Sequence, residues 1–220
     1  MEIPKRLHRY TSIKNLMELI KLNKLTLVNP EKWLSLSWSD KNDALNLQLY
    51  EKQKKTNIYA LCFTQEEESH FYWDSVGGGS VECRITFDGQ MLIEKLNNSG
   101  VRWGLINYFK IPELKKVIQD KKLQLNDVPF VKRWPYRQEK EFRIIWEGKK
   151  QKDSIKIITV DHDAVKSIAI NDRISDEKFN AIKEEIKSIK NFKPDRLSRV
   201  TVHQNSLWLK YLQEGISNLR

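Results

Sequence analysis

A chain of 220 residues and 26.1 kDa suits one large domain, which at that size buries roughly 70% of the surface its unfolded form exposes. Its 39 Lys and Arg against 29 Asp and Glu leave a net charge of +10, which attracts nucleic acid, ribosomes, nucleotides or acidic membranes without choosing among them. Seven Trp, seven Tyr and eight Phe exclude a disordered chain, and no apolar run reaches bilayer length.

Leu7 to Tyr10 is expected as a first strand. Thr11 or Ser12 then caps a helix whose Ile13, Leu16, Leu19 and Ile20 share a face. Leu25 to Val28 is extended and stops at Asn29-Pro30. An aromatic loop, Trp33 to Trp38, precedes a polar helix from about Asp40 to Lys54. Asn57 to Thr64, rich in aromatic and apolar residues, is expected as a central strand. Glu66 to Val76 carries Phe71, Tyr72 and Trp73 in a helix or turn that Gly77-Gly78-Gly79 breaks. Ser80 to Phe87 alternates as a strand does, Met91 to Leu96 is helical, and Val101 to Phe109 is strand-like. Pro112 opens a helix with Leu114, Val117 and Ile118. Phe142 to Trp146 and Ile155 to Val160 flank Glu147-Gly148 as a hairpin. Val165 to Ile170 is a further strand. From Ser175 to Lys190 a helix repeats Phe179, Ile182, Ile186 and Ile189. Val200 to Val202 and a helix containing Trp208 end the chain.

With no repeat or linker, residues 1–220 form a single α+β domain of mixed, mainly antiparallel sheets with flanking helices. The opening MEIPKRLHRY has no apolar signal region. Cys62 and Cys83 lack partners at zinc spacing and are expected as two buried thiols in a reducing, cytoplasmic compartment. His70, His162 and His203 show no second ligand at metal spacing, so no metal site is expected. Lys132, Arg133, Trp134, Tyr136 and Arg137 interleave charge and rings, which suits single-stranded nucleic acid or a dinucleotide and equally suits aromatic packing under basic stems.

Several segments in succession resemble a bacterial family called domain of unknown function 2971. They are Leu7-His8-Arg9-Tyr10 before a helix, the extended Leu25 to Pro30, and Ala60-Leu61-Cys62-Phe63-Thr64. Tyr72-Trp73 with the glycine run, Val81 to Phe87, Glu141-Phe142-Arg143 and the Val165 to Ile170 strand with its helix complete the series. The chain departs from that family at Asn29-Pro30-Glu31-Lys32-Trp33, where an Asn-Asp-Pro-like turn is usual. More distantly, the order is similar to the core of the ADP-ribosyltransferases, which split NAD and move its ADP-ribose to an acceptor. That resemblance implies a split-sheet core, NAD as the substrate, and a toxin or phage-defence effector acting on nucleic acid or a ribosome-associated target.

Carried over residue by residue, Arg9 becomes the phosphate-binding arginine and Thr64 the strand hydroxyl. Glu139 and Glu141 become the Glu-x-Glu pair, with Glu141 against the ribose and Glu139 as general base. In the other main branch of the family a first-strand His contacts the nucleotide, which makes His8 the competitor of Arg9. Alternation puts His8 and Tyr10 on one face and Arg9 on the other, so His8 and Arg9 should not both face the site. Tyr72 and Trp73 offer a flat surface for a nicotinamide or base. The rival readings are a non-enzymatic nucleic-acid- or partner-binding module and a metal-dependent nuclease drawing on Asp74 and Glu82.

Overall fold

The computed structural model describes residues 2–37, 39–74, 79–151, 154–203 and 205–217. The Trp38 end of the aromatic loop and the expected break at Gly77-Gly78 lie outside them. Strand β1 (Arg6–Thr11) leads into α1 (Ile13–Leu22). The Ser12 hydroxyl accepts from the Asn15 N–H at one end of α1, and Asn23 closes the other in the left-handed conformation, φ 52°. Strand β2 (Lys24–Val28) follows, then a 3-10 turn over Pro30–Ser35 and α2 (Lys41–Lys54), which Asp40 caps. Strand β3 (Asn57–Thr64) is the axis of the molecule. After it come the short α3 (His70–Asp74), β4 (Cys83–Asp88) and α4 (Gly89–Leu96).

Val101 to Phe109 is not one strand. It divides into β5 (Val101–Leu105) and β6 (Asn107–Phe109), which join different sheets. The small parallel sheet pairs β6 with β7 (Val131–Arg133), across α5 (Ile111–Gln119). A 3-10 turn, Trp134–Glu139, then feeds β8 (Glu141–Gly148). β9 (Ile155–Thr159), β10 (Val165–Ile170), α6 (Asp176–Ser188), β11 (Arg196–Arg199) and α7 (Ser206–Ser217) complete the order.

The class is the expected one, a mixed α+β fold whose main sheet is antiparallel except for the β10–β11 pair. Two expectations fail. β8 and β9 form no hairpin, because β8 is already sandwiched between β3 and β5 while β9 pairs β2. The last strand is Arg196–Arg199, polar in composition, because its pairing with β10 and not its apolarity selects it.

β3 pairs along its whole length with β8, from Asn57 opposite Gly148 to Thr64 opposite Glu141. On its other edge two strands compete. Among the described residues, β1 meets it at His8–Thr64 and β2 at Val28–Ala60, and neither ladder continues. β1 instead pairs fully with β4, and β2 with β9. The sheet therefore forks. One face is closed by α1, α4 and α6, whose Leu16, Leu19, Leu92, Ile182 and Ile186 pack on Leu7, Phe63, Ile85 and Phe142. Each such fully buried side chain contributes about 1.5–3 kcal/mol. On the opposite face Leu47 and Tyr50 of α2 cover Ile58, Ala60 and Ile145.

Candidate active site

At the fork lies a cavity of about 450 Å3, a size suited to a small molecule. Its walls include the consecutive residues His8 to Thr11 of β1 and Ala60 to Thr64 of β3. Successive strand residues point to opposite faces, so both parities border one space only where that space lies along the strand edges. The expectation that His8 and Arg9 cannot both face the site presupposed an unbroken sheet, and the fork removes that premise.

Arg9 is half-buried and lines the cavity. Among the described residues it makes no ion pair and no side-chain hydrogen bond. Burial pulls its guanidinium down to about 10, which still leaves it charged at neutral pH. A cation so placed without a counter-charge is unfavourable, and an entering anion relieves the cost. His8 is engaged elsewhere: its Nδ1 lies 3.0 Å from Thr86 Oγ1. Burial, reinforced by Arg84 and Arg6, lowers its pKa to about 4, so the imidazole is neutral. Of the two candidate anchors, only Arg9 brings a free charge.

Across the cavity stands a buried ionic network. Lys132 Nζ lies 2.5 Å from Glu139, 3.1 Å from Glu141 and 3.8 Å from Asp43. Arg143, fully buried, forks onto both Asp43 oxygens at 2.6 and 3.0 Å and reaches Glu141 Oε1 at 2.7 Å. The same register puts Cys62, Glu141 and Arg143 on the α2-facing side of the sheet. Glu139 is not in the strand. It ends the 3-10 turn, and Lys140 takes up a left-handed conformation, φ 39°, between the two acids. That turn, and not strand alternation, brings both carboxylates to one ammonium.

Three carboxylates against two cations leave one charge in excess, and a single proton restores balance. Burial pushes the Glu139 carboxyl up to about 7, with the Glu141 charge adding and Lys132 opposing. Burial alone would raise Glu141 too, but Arg143 and Lys132 outweigh it and hold Glu141 well below the usual carboxylate range. Glu139 also keeps 18% of its side-chain surface accessible against 4% for Glu141. Both oxygens of Glu141 are taken, by Arg143 and Lys132. Glu139 gives one oxygen to Lys132, and its other makes no hydrogen bond among the described residues.

Thr64 and Tyr72 both line the cavity, yet their hydroxyls are spent on the Glu139 carbonyl, at 2.7 and 2.5 Å. They position the acid. Tyr10 stacks on Tyr72 with ring centroids 4.8 Å apart, and its hydroxyl donates to the Glu67 carbonyl. Trp73 is fully buried and is not a cavity wall, so it offers no stacking face, whereas Tyr72 borders the cavity. Cys62 is half-buried on the cavity wall, not sealed in the core as expected. Burial and the adjacent Glu141 push its thiol well up, so it is no nucleophile at neutral pH.

Lys132 is the member the sequence concealed. Arg133 pairs with Asp40 and lies over Tyr136, and Arg137 lies over Trp134 at 4.8 Å. Of that basic and aromatic run, Lys132 and Tyr136 line the cavity, and Lys132 is the cation among them.

His70, Asp74 and His203 bring donor atoms within 4.8 Å of one another, a grouping suited to a metal ion that their sequence spacing could not show. Arg173 already pairs with Asp74, and Asp172 with His203. Glu82 belongs to a separate cluster with Lys178 and the Ile13 N–H, so Asp74 and Glu82 do not form a nuclease centre together. No helix among the described residues is long and apolar enough to cross a membrane.

No family model matches the chain, that of the domain of unknown function 2971 included, and no curated protein matches it. Among solved structures it is similar to Thermus sp. 2.9 DarT in complex with ADP-ribosylated ssDNA, at 12% identity and a TM-score of 0.45, covering 90% of this chain and 94% of that one. Thermus sp. 2.9 DarT in complex with NAD+ is similar at 13% identity and a TM-score of 0.41, with 90% and 96% covered.

Proposed function

We propose that the chain is an NAD-dependent ADP-ribosyltransferase-like enzyme. The observation that carries this reading is the unpaired Arg9 guanidinium in the same cavity as the Glu139–Lys132–Glu141 group. The reading rests on that geometry and not on likeness to known structures. A dinucleotide fits the residues present. Its diphosphate supplies the anion that Arg9 lacks, since a guanidinium matches phosphate oxygens in charge and shape. The free edges of β1 and β3 offer backbone groups to its ribose hydroxyls and amide.

Loss of nicotinamide from bound NAD takes the glycosidic electron pair with the leaving group and leaves positive charge on the ribose. The excess negative charge of the acid network faces that charge from a fixed, preorganised position. Glu139, ionised above about 7, accepts a ribose hydroxyl or takes the proton of the incoming acceptor. Glu141 acts through Lys132, holding it in place and keeping Glu139 the acid that titrates. In this reading Glu139 takes over the ribose role expected of Glu141 and keeps that of general base. The net charge of +10 favours a polyanionic acceptor, nucleic acid or a translation component, as suits a toxin or defence effector.

The test is incubation of the full chain with adenylate-labelled NAD and either purified nucleic acid or ribosomes. Label transfer that Glu139→Gln sharply reduces while NAD still binds supports the proposal. Absence of both NAD consumption and transfer with every acceptor removes it.

A further inference from the structure

A second cavity, of about 390 Å3, lies over the other half of the sheet, and the transferase reading leaves it unused. Its floor is the face of β1, β4 and β10 that carries His8, Arg84, Thr86 and Ser167. The ladders align these residues, His8 and Ser167 opposite Thr86 and Tyr10 opposite Arg84. Arg84 is only 7% exposed, and its Nε makes no hydrogen bond. Among the described residues its one carboxylate contact is the exposed Glu68 at 3.5 Å, the outer limit of a bond. Arg6 Nη1 is likewise buried without a hydrogen bond, 3.8 Å from Asp88. Buried donors of this kind are rare unless something outside the chain completes them.

Lys166 and Arg196 also border the cavity and make no ion pair among the described residues. The acids that border it, Glu67, Glu68 and Asp195, are all exposed, where water and salt screen them. Arg199 also borders the cavity, but its guanidinium is bonded to Asp176 and to the Asp172 and Ile174 carbonyls. Arg84 is therefore the deep charge, and the acids lie at the rim.

We propose that this groove is a phosphate-binding site, lined by the guanidinium groups of Arg84 and Arg6 and with Lys166 and Arg196 at its mouth. A phosphoryl group brings the negative charge that this set of cations lacks, which a neutral ligand does not. The proposal stands apart from the NAD reading, since none of these four cations lines the cleft at the fork. The phosphate has two sources, a free phosphate or nucleotide and the backbone of a single-stranded polynucleotide.

Calorimetry with inorganic phosphate, and anisotropy of a labelled single-stranded oligonucleotide with phosphate as competitor, separate the two. Phosphate that saturates, with an oligonucleotide binding no tighter, assigns the groove to free phosphoryl groups. A tighter oligonucleotide that phosphate displaces assigns it to the polynucleotide backbone. In either case Arg84→Gln weakens binding about tenfold, as loss of a charged hydrogen bond does. Arg84→Lys recovers part of that loss. Lys166→Ala and Arg196→Ala, at the mouth and safe for folding, each flatten the salt dependence of oligonucleotide binding by about 0.7 in log–log slope. In an Arg9→Gln background the losses caused by Arg84→Gln persist, so failure here is distinct from failure of the transferase reading. No saturable binding of either probe overturns the proposal. So does binding that Arg84→Gln and the Lys166→Ala/Arg196→Ala pair leave unchanged.

Discussion

Replacing Lys132 with Met keeps the side chain's length and removes its charge from the centre of the acid network. Glu139, Glu141 and Asp43 then share only Arg143, which already serves two of them. Breaking a buried ion pair from one side costs about 3–5 kcal/mol, and Lys132, 8% exposed, has three partners. Part of this loss is escapable, because Glu139 can take up a proton. Its folded pKa, already about 7 against an ordinary 4.5, rises further in the variant. An acid raised in this way contributes stability that is full at low pH and lost as pH climbs through its folded pKa. Wild type has finished losing its share near pH 7, whereas the variant goes on losing about 1.4 kcal/mol per pH unit above that. Urea denaturation at pH 6 and pH 8 should therefore show a deficit that grows by about that amount for the unit above 7. Adding Glu139→Gln to Lys132→Met removes the excess charge and should return a substantial part of the stability at pH 8. A loss below about 1 kcal/mol, the scale of an exposed pair, or one that ignores pH, would refute the buried network.

Other consequences are smaller or more local. Thr64→Val removes the hydroxyl that bonds the Glu139 carbonyl and the Glu66 N–H. It should cost about 1–3 kcal/mol in a thermal or urea melt, with turnover falling as Glu139 loses its support. NAD turnover in wild type should rise with pH through about 7 as Glu139 ionises, and the residual activity of Glu139→Gln should lose that rise; a profile unchanged by the substitution would assign the step to another group. His8 should stay neutral by NMR titration until about pH 4. Since its folded pKa lies below 6.5, the stability it contributes is present above that value and is lost as pH falls toward 4, so His8→Gln should lessen the acid sensitivity of folding.

Much of the sheet was legible because its central strands carry their own pattern. Asn57–Thr64 is apolar on both faces, and β3 indeed has partners on both edges. The clearest helix, α6, follows from Ser175 as its cap and from Ile182 and Ile186 at helical spacing. The β8–β9 hairpin was misjudged because local turn residues say nothing of which distant strand wins an edge. Gly148 is better explained by Trp146, whose ring would lie 2.2 Å from any added Cβ. Arg9 and Glu141 were visible as charges at strand positions, and both line the cleft. The unequal surroundings of Glu139 and Glu141 were not visible, because they depend on Arg143 fixing one acid and on the left-handed Lys140 between them. Lys132 was masked by its neighbours. Its strand is three residues long, and only pairing with β6 settles which of its side chains turns inward.

The account stands on a free cation and an uncommitted acid sharing one cleft. Calorimetric titration of NAD into wild type, Arg9→Gln and Glu139→Gln tests this most directly. Saturable binding by wild type is expected, with affinity reduced about tenfold or more in Arg9→Gln, as loss of a charge-assisted phosphate contact implies. Glu139→Gln should bind nearly as wild type does. NAD that fails to bind, or that binds Arg9→Gln as tightly as wild type, would contradict the account.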